Sequence, residues 1–187
     1  MFTRFLLKIP AFFGKVLRFG VICAVMGVLS FLIGELLPRK NIDIEDRLYR
    51  PRKWEKNGRV YYKLGIQKWK DRVPDMSRFV PHMFRKKITV MRSATYVEDL
   101  IRETCIAEII HYMLSLLSPV FLALMPPVWG PICMLLYVGV GNLPFIIIQR
   151  FNRPRLMEIL RRQRALEAAG KLPPSGAAIL RTPVRAQ

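Results

Sequence analysis

The fold is set by the stretch IAEIIHYMLSLLSPVFLALMPPVWGPICMLLYVGVGNLPFIII, which runs from Ile106 to Ile148. The Pro126-Pro127 pair divides it into two apolar blocks, 106–125 and 128–148. Each block has about the 20 residues that an α-helix needs to cross the hydrocarbon core of a bilayer. Because so short a connection leaves two helices antiparallel, the stretch predicts a helical hairpin in a membrane.

The composition also favours a membrane protein. Hydrophobic residues make up 52% of the 187 residues, yet the net charge is +18. An apolar and basic chain is typical of a protein that faces anionic lipid. A nucleic-acid-binding protein is disfavoured, because the apolar blocks would then have no role. Three cysteines, none in a C-x-x-C pair, predict neither a disulfide framework nor a zinc site.

A third apolar block, 19–37, precedes the hairpin and is separated from it by the polar region 38–105. That region holds 18 Lys/Arg and 9 Asp/Glu, and a basic tail follows the hairpin. The positive-inside rule places both on the cytoplasmic side of the membrane. We therefore expect one all-α membrane domain over 1–187 with two to three membrane helices, a basic, mostly irregular cytoplasmic region and interfacial helices.

The amino-terminal segment 1–18 conflicts with this orientation if block 19–37 spans fully. Either block 19–37 is re-entrant, or 1–18 is an interfacial amphipathic helix and the rule is broken. A cleaved signal peptide is disfavoured, because no A-x-A-like site follows the apolar run. The cations that would lie outside are Arg4, Lys8, Lys15 and Arg18.

Small residues recur along block 19–37 at spacings of three and four. Such a stripe lets another helix approach closely, so we predict a packing face that also serves contacts between copies of the chain or with partner enzymes. The stripe consists of Gly20, Ala24, Gly27, Ser30 and Gly34.

The polar region is predicted to be irregular with short elements. Asn57-Gly58 is a turn signal before a strand-like run over 60–63. The sequence QKWKDRVPD predicts a brief helix or turn that ends before Pro74.

The segment 149–170 after the hairpin is predicted to be a basic interfacial helix. Its apolar residues share one face from Arg155 to Ala169, and Gly170 is expected to cap it. Residues 171–187, rich in Pro, Gly, Ser and Ala, predict a disordered tail.

Polar side chains form a stripe along each helix of the hairpin. Lipid cannot face such groups cheaply, so we expect the two stripes to meet near the cytoplasmic end. In block two the spacings are four, three, four and three, through Thr104, Glu108, His111, Ser115 and Ser118. In block three the members are Asn142, Gln149 and Arg153.

Glu108 and His111 are neighbours at positions i and i+3 of one helix. A carboxylate beside an imidazole is the arrangement of a general base, but it also fits a structural pair that holds helices together. Glu-x-x-His occurs in di-metal bundles as well, which need a second copy. The chain has one copy, so a metal site is not predicted.

The end of block three is unusually rich in groups that bind anions. Its arginines are either plain positive-inside anchors or a site for an anionic substrate group, since guanidinium matches phosphate. Pro154 is predicted to turn the chain here. The residues concerned are Gln149, Arg150, Asn152, Arg153 and Arg155.

These residues resemble the glycosyl-4,4'-diaponeurosporenoate acyltransferases, small membrane proteins of staphyloxanthin-type carotenoid biosynthesis. NLPFIIIQRFNRPRL at 142–156 and AEIIHY at 107–112 carry the resemblance, and LGIQKWKD at 64–71 is similar more loosely.

The resemblance implies transfer of a fatty acyl group to a sugar hydroxyl of a lipid-linked glycosyl acceptor, a glycolipid or glycosylated carotenoid. His111 would be the base and Glu108 its orienting group, with oxyanion donors from Asn142 or Gln149. Arg150, Arg153 and Arg155 would hold phosphates of the acyl donor, acyl-CoA or acyl-ACP. No bound cofactor is implied. Further substrate-binding residues would be Asn152, Trp69, Lys70 and Asp71.

Two other functions remain open at this point. A non-catalytic scaffold would bind anionic headgroups and partner enzymes, and a small transporter would need more spans or oligomerisation. Neither His82 nor Cys105 is given a role.

Overall fold

The computed structural model describes residues 2–73 and 94–171, with side chains from residue 12 onward. The predictions for His82 and for the tail beyond Lys171 fall outside these residues. Over the described ranges the chain is helical and contains no strand. The helices are α1 (Phe2–Leu36), α2 (Ile66–Trp69), α3 (Ala94–Leu117), α4 (Val120–Leu124), α5 (Trp129–Leu136) and α6 (Leu143–Ala168).

Three helical stretches are long and apolar enough to cross a membrane, which confirms the predicted all-α membrane fold. They are Phe12–Leu36, Ala94–Leu124 and Trp129–Ala168.

The chain divides into two compact units. The apolar unit comprises Met1–Pro38 and Ile106–Ile146, and the basic unit comprises Arg39–Cys105 and Ile147–Gln187. Helices α3 and α6 each contribute to both.

In the apolar unit, α1 packs on the hairpin through a small core. Ile22 and Met26 of α1 contact a buried cluster from the hairpin, with Phe121 fully inaccessible to solvent. The Phe121 ring lies 5.3 Å from that of Phe19. The other buried members are Leu114, Met125 and Cys133.

The direction of α1 follows from contacts at its two ends. Phe12 packs edge-on against Trp129 beside the predicted Pro126-Pro127 turn, with ring centroids 5.7 Å apart. At the other end, a Cβ atom on Gly34 would lie 2.7 Å from the Ile110 side chain. Helix α1 therefore runs unbroken along the hairpin. The two alternatives for block 19–37, spanning or re-entrant, stay predictions.

The small-residue stripe of α1 is not its inward face. Gly20 and Gly27 have no other side chain within 4 Å of an added Cβ, whereas Gly34 packs on the hairpin. The larger residues Ile22 and Met26 are the α1 members of the buried hairpin core instead. Contacts of this stripe with other chains stay a prediction.

In the basic unit, the predicted turn at Asn57-Gly58 is present, with left-handed backbone at both residues. The strand-like run 60–63 was predicted wrongly, since Arg59–Leu64 forms a 3₁₀-helix. A 3₁₀-helix satisfies its own N–H groups, whereas a lone strand has no partner. The predicted brief helix is α2, followed by a 3₁₀ turn over Lys70–Arg72.

Helix α6 passes through Pro154 without ending, which corrects the predicted turn. Proline removes one hydrogen bond, to the carbonyl of Arg150. The side chains of Arg150 and Arg153 anchor the turn just before Pro154 through bonds to Glu55 and Thr104. The helix ends at Ala168, and Gly170, the predicted cap, has a positive φ of 66°.

Candidate active site

The imidazole of His111 lies half-buried in the apolar unit, on α3. Its Nδ1 atom is 2.9 Å from Oδ1 of Asn142. One ring face stacks on Phe145, with centroids 4.5 Å apart and an interplanar angle of 14°. The two predicted polar stripes therefore meet at the His111–Asn142 pair.

Asn142 is itself held firmly. It is 1% exposed, and its Nδ2 donates a 2.8 Å hydrogen bond to the carbonyl of Tyr137. Both residues belong to a π-helical turn, Tyr137–Asn142, at whose end the N–H of Leu143 donates to the carbonyl of Val138. Such turns insert an extra residue into the helix and change the direction of the side chains that follow.

The sequence explains why the π-turn lies here. Pro144 has no N–H to continue the α-helical ladder to Val140, and glycines at 139 and 141 weaken the helix that precedes it. Pro144 thus favours the π-turn by interrupting the α-helical hydrogen bonds, and Asn142 stabilises the turn by its bond to Tyr137.

Glu108 does not orient the imidazole as predicted. Within the part of the chain that the structure describes, the ring forms its hydrogen bond with Asn142 alone. The i, i+3 spacing brings two Cβ atoms near each other, but the rotamers decide whether the polar ends meet. Glu108 is 2% exposed and makes other interactions.

The basic unit is built around a buried carboxylate, that of Glu55. Nε and Nη2 of Arg150 donate to its two oxygens at 2.5 and 2.6 Å. The hydroxyl of Tyr61 and the backbone N–H of Arg52 donate to it as well. Glu55 is 1% exposed and Arg150 is 7% exposed, so this is a two-point guanidinium–carboxylate pair away from water.

These contacts change how Glu55 and Tyr61 ionise. Burial alone would raise the pKa of Glu55, but the hydrogen bonds from Arg150, Tyr61 and Arg52 outweigh it, so the net pKa is lowered. Burial, and then the bond to the carboxylate, raise the pKa of Tyr61. Glu55 is therefore an anion and Tyr61 a neutral donor at neutral pH.

Arg153 is equally enclosed, at 2% exposure. Its Nε and Nη2 donate to the hydroxyl and the carbonyl of Thr104, at 3.0 and 2.9 Å. Its Nη1 donates to the carbonyl of Tyr49 at 3.1 Å. Like Arg150, it is held by protein groups instead of being presented at a surface.

Arg155 differs from the two buried arginines. Its Nη2 donates a 2.8 Å hydrogen bond to the Tyr62 hydroxyl, its Nη1 donates to the Phe151 carbonyl, and its guanidinium lies 3.5 Å from the Phe151 ring centroid. All of these partners are neutral. Among the described residues, its charge has no acidic partner.

The remaining predicted residues occupy varied positions in the basic unit. Gln149 is 5% exposed, and its Oε1 has no hydrogen-bond partner in the described ranges. Asn152 is half-buried. Trp69 donates to the carbonyl of Leu64 at 3.0 Å, and Lys70 forms a 2.9 Å ion pair with the exposed Asp71.

Among the described residues, no group of three or more His, Cys, Asp or Glu side chains is placed to hold a metal ion.

Sequence reasoning missed Glu55, Tyr61 and Phe145. The sequence did contain a signal for Glu55, because it is the only acid between Asp46 and Asp71, a segment that contains nine Lys and Arg residues. An acid so isolated among bases is a candidate for a buried ion pair.

Over the described residues the chain is all-α, with three helical stretches long and apolar enough to cross a membrane, which defines it as a membrane protein. The chain belongs to the glycosyl-4,4'-diaponeurosporenoate acyltransferase family, whose sequence model matches residues 45–162. It is therefore an acyltransferase.

The relatives it resembles include proteins named glycosyl-4,4'-diaponeurosporenoate acyltransferase from Staphylococcus aureus strains bovine RF122 / ET3-1 and USA300. Each is 29% identical over 130 residues, covering 69% of this chain and 78% of the relative. No solved structure matches the chain.

Proposed function

We propose that this protein transfers a fatty acyl group to a sugar hydroxyl of a glycosylated lipid or carotenoid, with His111 as the general base. The observation that carries the proposal is the imidazole of the apolar unit, held by Asn142 at 2.9 Å and stacked on Phe145. An acceptor with lipid chains would reach a base at this depth without leaving the bilayer.

In the proposed reaction, the imidazole takes the proton of the sugar hydroxyl as the oxygen attacks the thioester carbonyl. A C–O bond forms, the C–S bond breaks, and the leaving thiolate accepts the proton from the imidazolium. The products are an ester and a free thiol, so atoms and charge balance. General base catalysis of this kind contributes about 10²–10⁴-fold to the rate.

The acyl donor is proposed to be acyl-CoA or acyl-ACP. Arg155 is the best candidate of the three arginines for a donor phosphate, because its partners are all neutral. Arg150 and Arg153 are proposed to support the basic unit instead. Gln149, which makes no side-chain hydrogen bond to a described residue, is the remaining candidate donor to the oxyanion.

Lipid analysis tests the function directly. In cells that express the protein and make a glycosylated acceptor, mass spectrometry of extracted lipids is expected to show a new species heavier by one esterified fatty acid. Cells without the protein, or without the acceptor, are the controls. Unchanged lipids in expressing cells would refute the proposed acyl transfer.

We also propose an orientation. Because α1 lies with its amino-terminal half against the hairpin turn, the amino terminus and that turn share one side of the membrane. The positive-inside rule puts the basic segments after Pro38 and after Ile148 on the other, cytoplasmic side. On the outer side, Lys15 lies over the Trp129 ring at 5.1 Å and Arg18 donates to the carbonyl of Leu124 at 3.4 Å.

Labelling tests the orientation. In a variant without the three native cysteines, Lys56→Cys is expected to react with an impermeant maleimide only after the membrane is opened. A protease-sensitive tag at the amino terminus is expected to be cut in intact protoplasts. Labelling of Lys56→Cys in intact protoplasts would contradict the proposed orientation.

A further inference from the structure

The hydrogen bonds of Asn142 fix which of its side-chain atoms faces His111. The carbonyl of Tyr137 can only accept, so the atom 2.8 Å from it must be the amide nitrogen. The oxygen of Asn142 must then be the atom 2.9 Å from Nδ1. With the amide reversed, two oxygens would face each other in a buried place, which is unfavourable.

An amide oxygen is also only an acceptor, so Nδ1 of His111 must donate and carry the proton. In the neutral ring the lone pair then lies on Nε2. Nε2 has no hydrogen-bond partner among the described residues. Turning the ring over about its Cβ–Cγ bond would place a carbon opposite the Asn142 oxygen and break this hydrogen bond.

We infer that Asn142 is a positioning residue that holds His111 as the Nδ1–H tautomer, with Nε2 as the atom that removes the acceptor's proton. This inference rests on the proposed role of His111. It replaces the oxyanion-donor role predicted for Asn142, whose oxygen faces the ring and whose nitrogen faces Tyr137.

The π-turn contributes to this positioning of His111 by Asn142. Asn142 reaches back five residues to Tyr137, within the one π-helical turn of the described chain. The nitrogen of the Asn142 side chain donates to the Tyr137 carbonyl, and its oxygen accepts from His111 on α3. The π-turn in the second helix of the hairpin therefore sets the position of the Asn142 oxygen that faces His111.

The tautomer can be measured without reference to activity. The chain has two histidines, so a His82→Gln variant leaves one imidazole. With ¹⁵N-labelled histidine in lipid nanodiscs, NMR is expected to show a protonated Nδ1 and a bare Nε2 for neutral His111. In Asn142→Leu, which has a similar size and no acceptor, we expect that preference to be lost.

Activity supplies the second readout. Asn142→Leu is expected to lower kcat by about 10²-fold, with little change in the KM of the acceptor, since misplacing a reacting group has effects of this size. Asn142→Asp keeps the acceptor for Nδ1 and is expected to keep the tautomer, at a cost in stability because an oxygen then faces the Tyr137 carbonyl. Leu135→Ala, at an exposed position of α5 outside the π-turn, is the matched control and should match the wild type.

The two hypotheses fail in different ways. A proton on Nε2 in the wild type, or an unchanged tautomer in Asn142→Leu, would overturn the role of Asn142. Full activity in a variant without His111 would overturn the base itself, whatever the tautomer.

Discussion

His111→Gln is expected to lose at least about 10²-fold in acyl transfer while the protein still inserts and folds, the lower end of what a general base contributes. Glutamine keeps a polar side chain that can hydrogen-bond to Asn142, but it cannot take a proton at neutral pH. The substitution therefore separates basicity from structure. The measurement is the rate at which purified membranes form the ester of the glycosylated acceptor, detected by mass spectrometry.

The matched control is Leu116→Ala, on the same helix at a position 80% exposed. It is expected to retain wild-type activity and membrane content. Near-native activity in His111→Gln would show that His111 has a structural role only and is not the base.

Glu55→Gln is expected to destabilise the basic unit by about 3–5 kcal/mol, because it leaves the buried guanidinium of Arg150 without its counter-charge. Hydrogen exchange of the segment 52–64, read by mass spectrometry, should rise. Unfolding of the solubilised protein by denaturant gives the free energy.

The control breaks an exposed pair. Glu158→Gln removes the Arg162–Glu158 bridge, whose side chains are 76% and 53% exposed, and should cost less than about 1 kcal/mol. Equal losses in the two variants would contradict the importance of the buried pair.

Acid should reproduce the effect of Glu55→Gln. A carboxyl whose pKa is lowered by folding adds stability above its unfolded pKa and loses it as the pH falls through the folded pKa. The stability gap between wild type and Glu55→Gln is therefore expected to be full at neutral pH and to narrow in acid. A gap that does not change with pH would be evidence against a carboxylate in this pair.

The sequence by itself determined the membrane class and the hairpin. Apolar blocks of spanning length and the Pro126-Pro127 turn leave few other solutions, because a bilayer requires every backbone hydrogen bond to be made within the chain. Helical spacing also predicted that His111 and Asn142 lie on facing stripes. The glycine cap after α6, at Gly170, was predictable from the preference of glycine for positive φ at the end of a helix.

Only the tertiary structure decided the partners of the polar groups. Glu108 is nearer to His111 along the chain, but the hydrogen-bond partner of the imidazole is Asn142. The π-turn inserts one residue relative to an α-helix and so turns Asn142 toward His111. Helical periodicity in the sequence does not predict that insertion. Arg150 had the sequence of a surface anchor, yet Glu55, 95 positions away, draws it into the interior. Local pattern fixes which face a side chain lies on, whereas a buried polar group is assigned to whichever distant partner satisfies it.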